Sequence, residues 1–208
     1  MARYTGPVCR LCRADGRKLM LKGARCMSDK CPMNKKRGAP GKDPKVRAGK
    51  RSEYGLQLCE KQKIRRMYGM LEKQFRITYE RAQRMPGVTG ENFIQLLERR
   101  LDNVVYRMCI GSSRAQSRQL VAHGHITVNG KVVDIPSYLV KEGDVIAVKE
   151  SKKENGFFKE LKGAKIANLP KWVSFDTETL TGKVEAIPTR EDVDLSIAEH
   201  LIVELYSK

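Results

Sequence analysis

The sequence predicts an α+β protein: helices first, then a small antiparallel sheet with helices on one face. Three observations predict it. Apolar residues recur at helical spacing between residues 52 and 101. From Ile126 to Val148 they alternate around an Asn129-Gly130 turn. Four cysteines cluster in a strongly basic N-terminal stretch.

The cysteines come first, as Cys9, Cys12, Cys26 and Cys31 in a C-x2-C-x13-C-x4-C pattern. Two close pairs across such a loop suit one tetrahedral Zn²⁺. Few apolar residues lie between them, so metal bonds would replace a missing core. Arg10, Arg13, Arg25 and Lys30 can offset the thiolate charge. An iron–sulfur cluster is the alternative; a redox dithiol lacks its βαβ context. From Asn34 to Arg51 the chain is rich in Gly, Pro and cations. Lys35, Lys36, Arg37, Lys42, Lys45, Arg47, Lys50 and Arg51 each suit a phosphate.

Ser52 is the expected N-cap of a helix reaching about Tyr68, with Tyr54, Leu58 and Ile64 inward. A second helix covers about Leu71 to Met85, with Phe75, Tyr79 and Ala82 inward. Pro86-Gly87 ends it. A third starts after Thr89-Gly90 and buries Phe93, Leu96 and Leu97, then Leu101. Arg65, Arg66, Arg76, Arg81, Arg84, Arg99 and Arg100 are expected to extend a basic face. Cys59 and Cys109 read as small core residues.

The most informative stretch is SRAQSRQLVAHGHITVNG, Ser113 to Gly130. Ser113 and Gln116 form the pattern of a capping box. Leu120 and Val121 face inward, and Gly124 stops the helix. Arg114 and Arg118, four apart, share one face, and their planar forks suit phosphate. Strands follow at 126–128, 131–133, 135–140 and 145–148, with a Glu142-Gly143-Asp144 turn. Phe157, Phe158, Leu161 and Ile166 fit a short helix. Trp172 to Phe175 and Val184 to Ile187 read as a hairpin. Ser196 and Glu199 form a second capping-box pattern, opening a helix with Ile197, Leu201 and Leu205 in line.

Composition narrows the partner. The 208 residues carry a formal charge of +17. Residues 1–51 hold sixteen Lys and Arg against three Asp and Glu, so the cations crowd the first half. An anionic partner follows. Aromatics are 6% and mostly on apolar stripes, which favours recognition of folded RNA by shape over single-strand stacking. No apolar run reaches a membrane span, and the opening MARYTGPVCR lacks the long apolar core expected of a secretory signal. A reducing, cytoplasmic setting is expected. No Ser/His/Asp set, P-loop or paired-carboxylate site stands out. His123 and His125 have no third ligand nearby, so hydrogen bonding or stacking on nucleic acid fits them better than metal. Arg100-Leu101-Asp102 matches the R-L-D of pseudouridine synthases, but too little chain remains for a catalytic domain.

The whole chain resembles the bacterial small-subunit ribosomal protein S-four family. The resemblance rests on ARYTGPVCRLCR, YGLQLCEKQKIRRMYGMLEKQF, LERRLDNVVYRM, SRAQSRQLVAHGHITVNGKVVDIPSY and EHLIVELYSK. One departure is Ala39-Pro40-Gly41-Lys42-Asp43-Pro44, where the family has P-P-G-x-H-G. The four cysteines resemble the family's zinc-carrying form, with one structural Zn²⁺. The resemblance implies a zinc knuckle and basic arm over 1–45, and a helical domain over 46–98 joined by 190–208. An inserted α+β RNA-binding domain would occupy 99–189. It implies no catalysis and no small-molecule substrate. The implied partners are a helix junction in the 5′ domain of small-subunit ribosomal RNA, messenger RNA at the entry channel, and ribosomal proteins S-five and S-three. The implied roles are nucleating subunit assembly and influencing translational accuracy, as a monomer within the ribosome. The RNA-contacting set expected on both grounds is Arg3, Arg10, Arg13, Lys35, Lys36, Arg37, Lys45, Arg47, Lys50, Arg51, Lys63, Arg65, Arg66, Arg107, Ser113, Arg114, Arg118, His123, His125, Asn129 and Lys131. The alternative is an RNA-modifying enzyme or regulator that uses the same module.

Overall fold

The computed structural model describes residues 3–41, 49–164, 169–193 and 196–207. The expectations for Lys42, Asp43, Pro44, Lys45, Arg47 and Ile166 lie outside them. In chain order the elements are α1 (Val8–Asp15), α2 (Ala24–Met27), α3 (Glu53–Met67), α4 (Glu72–Gln83), α5 (Thr89–Glu98), α6 (Leu101–Arg107) and α7 (Arg114–Ala122). There follow β1 (Ile126–Val128), β2 (Lys131–Val132), β3 (Val145–Val148), α8 (Gly156–Leu161), β4 (Val173–Asp176), β5 (Thr181–Val184) and α9 (Glu199–Tyr206). The chain divides into two compact units, Met1–Phe93 with Leu195–Lys208, and Ile94–Asp194.

In the first unit, Ser52 Oγ accepts from the Gly55 N–H at 3.2 Å and starts α3. Gly69 ends it: its N–H bonds Arg66, and that of Met70 bonds Arg65, a Schellman motif that needs the positive φ of 62°. The buried face of α3 differs from expectation. Ile64 is buried, but Tyr54 is 60% exposed, and Gln57, Lys61 and Lys63 turn inward instead. Lys61 and Lys63 are buried because the Glu72 and Glu60 carboxylates and the Ser196 carbonyl meet them there, which hydrophobic spacing does not register. α4 buries Phe75, Tyr79 and Ala82 as its 3.6-residue period dictates. Phe75 meets Phe93 edge-on at 4.9 Å, and Tyr79 lies 4.7 Å from Tyr206 of α9. Burial of each such ring contributes roughly 1.5–3 kcal/mol. α9 packs on α3. The second capping box does not form: Ala198 precedes α9 without a side-chain cap, and the Ser196 carbonyl accepts from Lys63 Nζ.

In the second unit one antiparallel sheet has the order β2-β1-β3-β5-β4. Asn129 and Gly130 both have positive φ, 50° and 81°, and close the β1–β2 hairpin as a type I′ turn. The core joins Leu101, Val104, Val105 and Met108 of α6 to Val121, Ile126, Ile146, Phe158, Trp172 and Val184. Three expectations are corrected here. Residues 135–140 form no strand beyond one bridge, Arg100 to Leu139. Pro136 cannot donate to a ladder, and its carbonyl and that of Tyr138 accept the first N–H groups of α6 instead. The last strand is β5, ending at Val184 rather than starting there. Cys109 is exposed, with φ 58° at the turn after α6, and is not a core residue.

Candidate nucleic-acid interface

α7 is built as its sequence dictates at both ends. Ser113 Oγ accepts from the Gln116 N–H at 3.3 Å. The Gln116 side chain, however, returns to Ser112, accepting from its N–H at 2.8 Å and its hydroxyl at 2.7 Å. The box is thus displaced by one residue, and both orphan ends are still satisfied. Gly124, φ 66°, closes the C-terminus with the Gly124-to-Val121 and His125-to-Leu120 bonds.

The two arginines of α7 do share a face, and the face is inward. Arg118 is buried and donates through Nη1 to Asp102 Oδ2 at 3.0 Å. Arg100 is buried too and grips the same carboxylate through Nε at 3.1 Å and Nη2 at 2.7 Å. Arg114 donates to Asn103 Oδ1 at 2.8 Å and covers the Tyr106 ring at 4.5 Å. Asn103 in turn donates to buried Glu98 at 2.7 Å. Arg107 pairs with Glu98 through two bonds of 2.8 Å. Two linked sets, Arg100–Asp102–Arg118 and Glu98–Asn103–Arg107–Arg114, therefore fix α7 against α6. Arg118 and Arg100 have almost no surface left for a phosphate. This corrects the expectation of a basic face at Arg100. Asp102, Asn103 and Glu98 are not among the expected site residues; the signal in the sequence is two acids, Glu98 and Asp102, upstream of the spaced Arg114 and Arg118.

The other expected contacts divide by exposure. Arg3, Arg10, Lys35, Lys36, Arg37, Lys50, Arg51, His123 and Lys131 are exposed. Arg13 is half-buried and reaches the Gly38 carbonyl at 3.4 Å. Lys63 is buried between Glu60, at 2.9 Å, and the Ser196 carbonyl. Arg65 donates to Gln62 at 2.8 Å, and Arg66 faces Asp15 at 3.8 Å. Burial pushes the Asp15 carboxyl up despite Arg66, Arg17 and Lys63. Ser113 is spent on its cap. Asn129 ties its hairpin to the next turn, donating to Asp144 at 2.9 Å and accepting from the Val145 N–H at 2.9 Å. His125 is half-buried. Burial, with Lys152 and His123 nearby, holds it below the usual histidine range.

Cys9, Cys12, Cys26 and Cys31 lie in the first unit. Cys12, Cys26 and Cys31 are buried and Cys9 is half-buried. The Lys22 N–H donates to Cys26 Sγ at 3.3 Å, and the Leu19 N–H bonds Cys12. Burial raises the Cys12 thiol, and Cys26, Cys9 and Cys31 are near enough to raise it further. Among the described residues no set of three or more His, Cys, Asp and Glu side chains stands ready to hold a metal ion.

Comparison with known proteins bears on this surface. The description "Ribosomal protein S4/S9 N-terminal domain" matches residues 3–98, and "S4 domain" matches residues 99–146. The chain is 60% identical to a small ribosomal subunit protein uS4A of Alkaliphilus oremlandii, over the full length of both. It is 59% identical to a small ribosomal subunit protein uS4 of Clostridioides difficile and 56% identical to that of Halothermothrix orenii, each over the full length of both chains.

Proposed function

The chain belongs to the small ribosomal subunit protein uS4 family, and from that premise we infer that it is a structural, rRNA-binding constituent of the small ribosomal subunit. The family is one of ribosomal proteins, not of enzymes. The observation that carries the reading is where the unspent cations lie. Arg3, Arg10, Lys35, Lys36, Arg37, Lys50 and Arg51 are exposed in the first quarter of the chain, while the arginines of α6 and α7 hold the frame. A folded RNA presents phosphates at fixed places, and exposed cations release counterions there.

The finer reading is that the RNA target is a helix junction in the 5′ domain of small-subunit rRNA. Binding there would nucleate subunit assembly. The chain would also line the messenger RNA entry channel beside ribosomal proteins S-five and S-three and influence accuracy, in the bacterial cytoplasm. Family membership supports this part. Filter binding of the purified chain to small-subunit rRNA tests the core claim. Affinity should fall steeply with salt. Replacing Lys35, Lys36 and Arg37 together by Ala should reduce the slope of log affinity on log salt by about two to three, at ~0.7–0.9 per lost phosphate contact. No binding in dilute buffer, or an unchanged slope, refutes the reading.

Cys9, Cys12, Cys26 and Cys31 would hold one structural Zn²⁺. The support is chemical: three are buried in a segment of few apolar residues, and backbone N–H groups point at the Cys12 and Cys26 sulfurs, as thiolate ligands require. Such a metal would supply cross-links that the segment's small core does not. Elemental analysis should find about one zinc per chain, and a strong chelator should remove it and loosen residues 3–41. Metal-free protein with that segment equally protected from proteolysis overturns the assignment.

A further inference from the structure

Four rings run in a row in the second unit. The His123 and His125 centroids are 6.1 Å apart, His125 and Phe158 6.0 Å, and Phe158 and Phe157 5.2 Å. The last two contacts are edge-to-face, which ring quadrupoles favour. The inner rings are shielded, with Phe158 buried and His125 half-buried. The outer rings are open: His123 is exposed and Phe157 is 37% exposed. Three further observations set the row apart from scattered surface aromatics. His125 Nδ1 is buried without a hydrogen-bond partner among the described residues, a state native interiors rarely leave unanswered. Lys152 lies close enough to bear on the His125 charge. The neighbouring acids Glu150 and Glu154 are paired with other lysines, Lys153 at 2.6 Å and Lys159 at 3.4 Å. The row is also held in place, because the Lys149 N–H donates to the His125 carbonyl at 2.9 Å.

We propose that this row, with Phe157 as its open platform, takes an unpaired RNA nucleotide, whose base stacks on the ring and whose phosphate meets Lys152. The proposal rests on the RNA-binding reading above. It adds a contact beyond residue 146, where the matched S4 domain ends. Any base has a face to stack, so the site suits a nucleotide splayed from a junction irrespective of its identity.

Three full-length proteins test it: wild type, Phe157→Leu and Phe157→Tyr, each measured for binding to small-subunit rRNA and to a fully paired RNA duplex. Phe157→Leu keeps bulk and loses the ring face. It should weaken binding to the rRNA about tenfold, within the range of one lost base–aromatic stack. Phe157→Tyr should stay within about twofold of wild type, since its face still stacks. Neither should alter duplex binding. The proposal is overturned if Phe157→Leu binds the rRNA like wild type, if it loses as much on duplex, or if Phe157→Tyr is equally weak. Wild type that ignores the rRNA would instead refute the RNA-binding reading itself. Because Phe158 rather than Phe157 fills the core, both variants should fold, which unchanged Trp172 fluorescence would show.

Discussion

Replacing Asp102 by Asn should destabilise the second unit far more than an isosteric change normally does. Asp102 is 4% exposed and bridges two guanidinium groups, Arg100 at 3.1 and 2.7 Å and Arg118 at 3.0 Å. The amide keeps one oxygen acceptor and the shape. It removes the negative charge between two buried cations and turns an N–H₂ toward one of them. Breaking a buried pair by neutralising one member costs about 3–5 kcal/mol. The retained acceptor argues for the lower end, about 3 kcal/mol. In a unit of this size each kcal/mol lowers the melting midpoint by roughly 4–8 °C, so the fall should be about 12 °C or more. The assay is built in: Trp172 is the single tryptophan and is buried in the same unit, so its fluorescence during denaturation reports that unit. Adding Arg118→Met should recover at least about 1 kcal/mol, because it removes one of the two buried cations that faced the carboxylate. A loss below about 1 kcal/mol for Asp102→Asn, or purely additive behaviour in the double variant, would show that solvent and neighbouring groups already satisfy both arginines.

Two other outcomes follow from the geometry. Gly111→Ala would place a Cβ 2.3 Å from Ser117 Oγ and 2.9 Å from the Ser117 backbone nitrogen. The nitrogen belongs to α7 and cannot swing aside, so denaturant titration should show a loss of about 1–3 kcal/mol. His125 is held below its ordinary range by burial, then Lys152 and His123, so the unfolded chain binds its proton at a higher pH than the folded one does. Stability from this residue is therefore complete above the ordinary histidine range and declines as pH falls through it. Comparing Trp172 unfolding at pH 7.5 and pH 5 should show this decline, and His125→Gln should flatten it.

What the sequence revealed follows the physics that each pattern reports. Helical spacing showed the inner face of α4, because Phe75, Tyr79 and Ala82 bury by hydrophobicity alone. The Asn129-Gly130 turn was legible because only residues tolerant of positive φ close such a hairpin. Tyr54 was misplaced for the converse reason: α3 buries Lys61 and Lys63 through ion pairs, and the polar neighbours displaced the apolar stripe. Residues 135–140 alternate like a strand, but Pro136 and the unpaired N–H groups of α6 claim their backbone. Arg114 and Arg118 show the limit most clearly. Their spacing puts them on one face, yet only the fold brings Asp102, sixteen positions earlier, onto that face. Local pattern separates inside from outside for apolar residues; for arginine, the location of its counter-ion decides.

The placement of α9 bears on how the polypeptide is made. Tyr206 accepts its place by donating to Glu72 at 2.9 Å across 134 positions, and Lys63 finds the Ser196 carbonyl across 133. The inserted second unit leaves the translating machinery, and can pair its strands, before those partners exist. Until they arrive, the rings of Phe75 and Tyr79 lack Tyr206 and the Lys63 ammonium lacks one acceptor. A message truncated before α9 would yield a product whose second unit is sound and whose first remains open to proteases, so damaged transcripts would leave little stable protein to compete with complete copies.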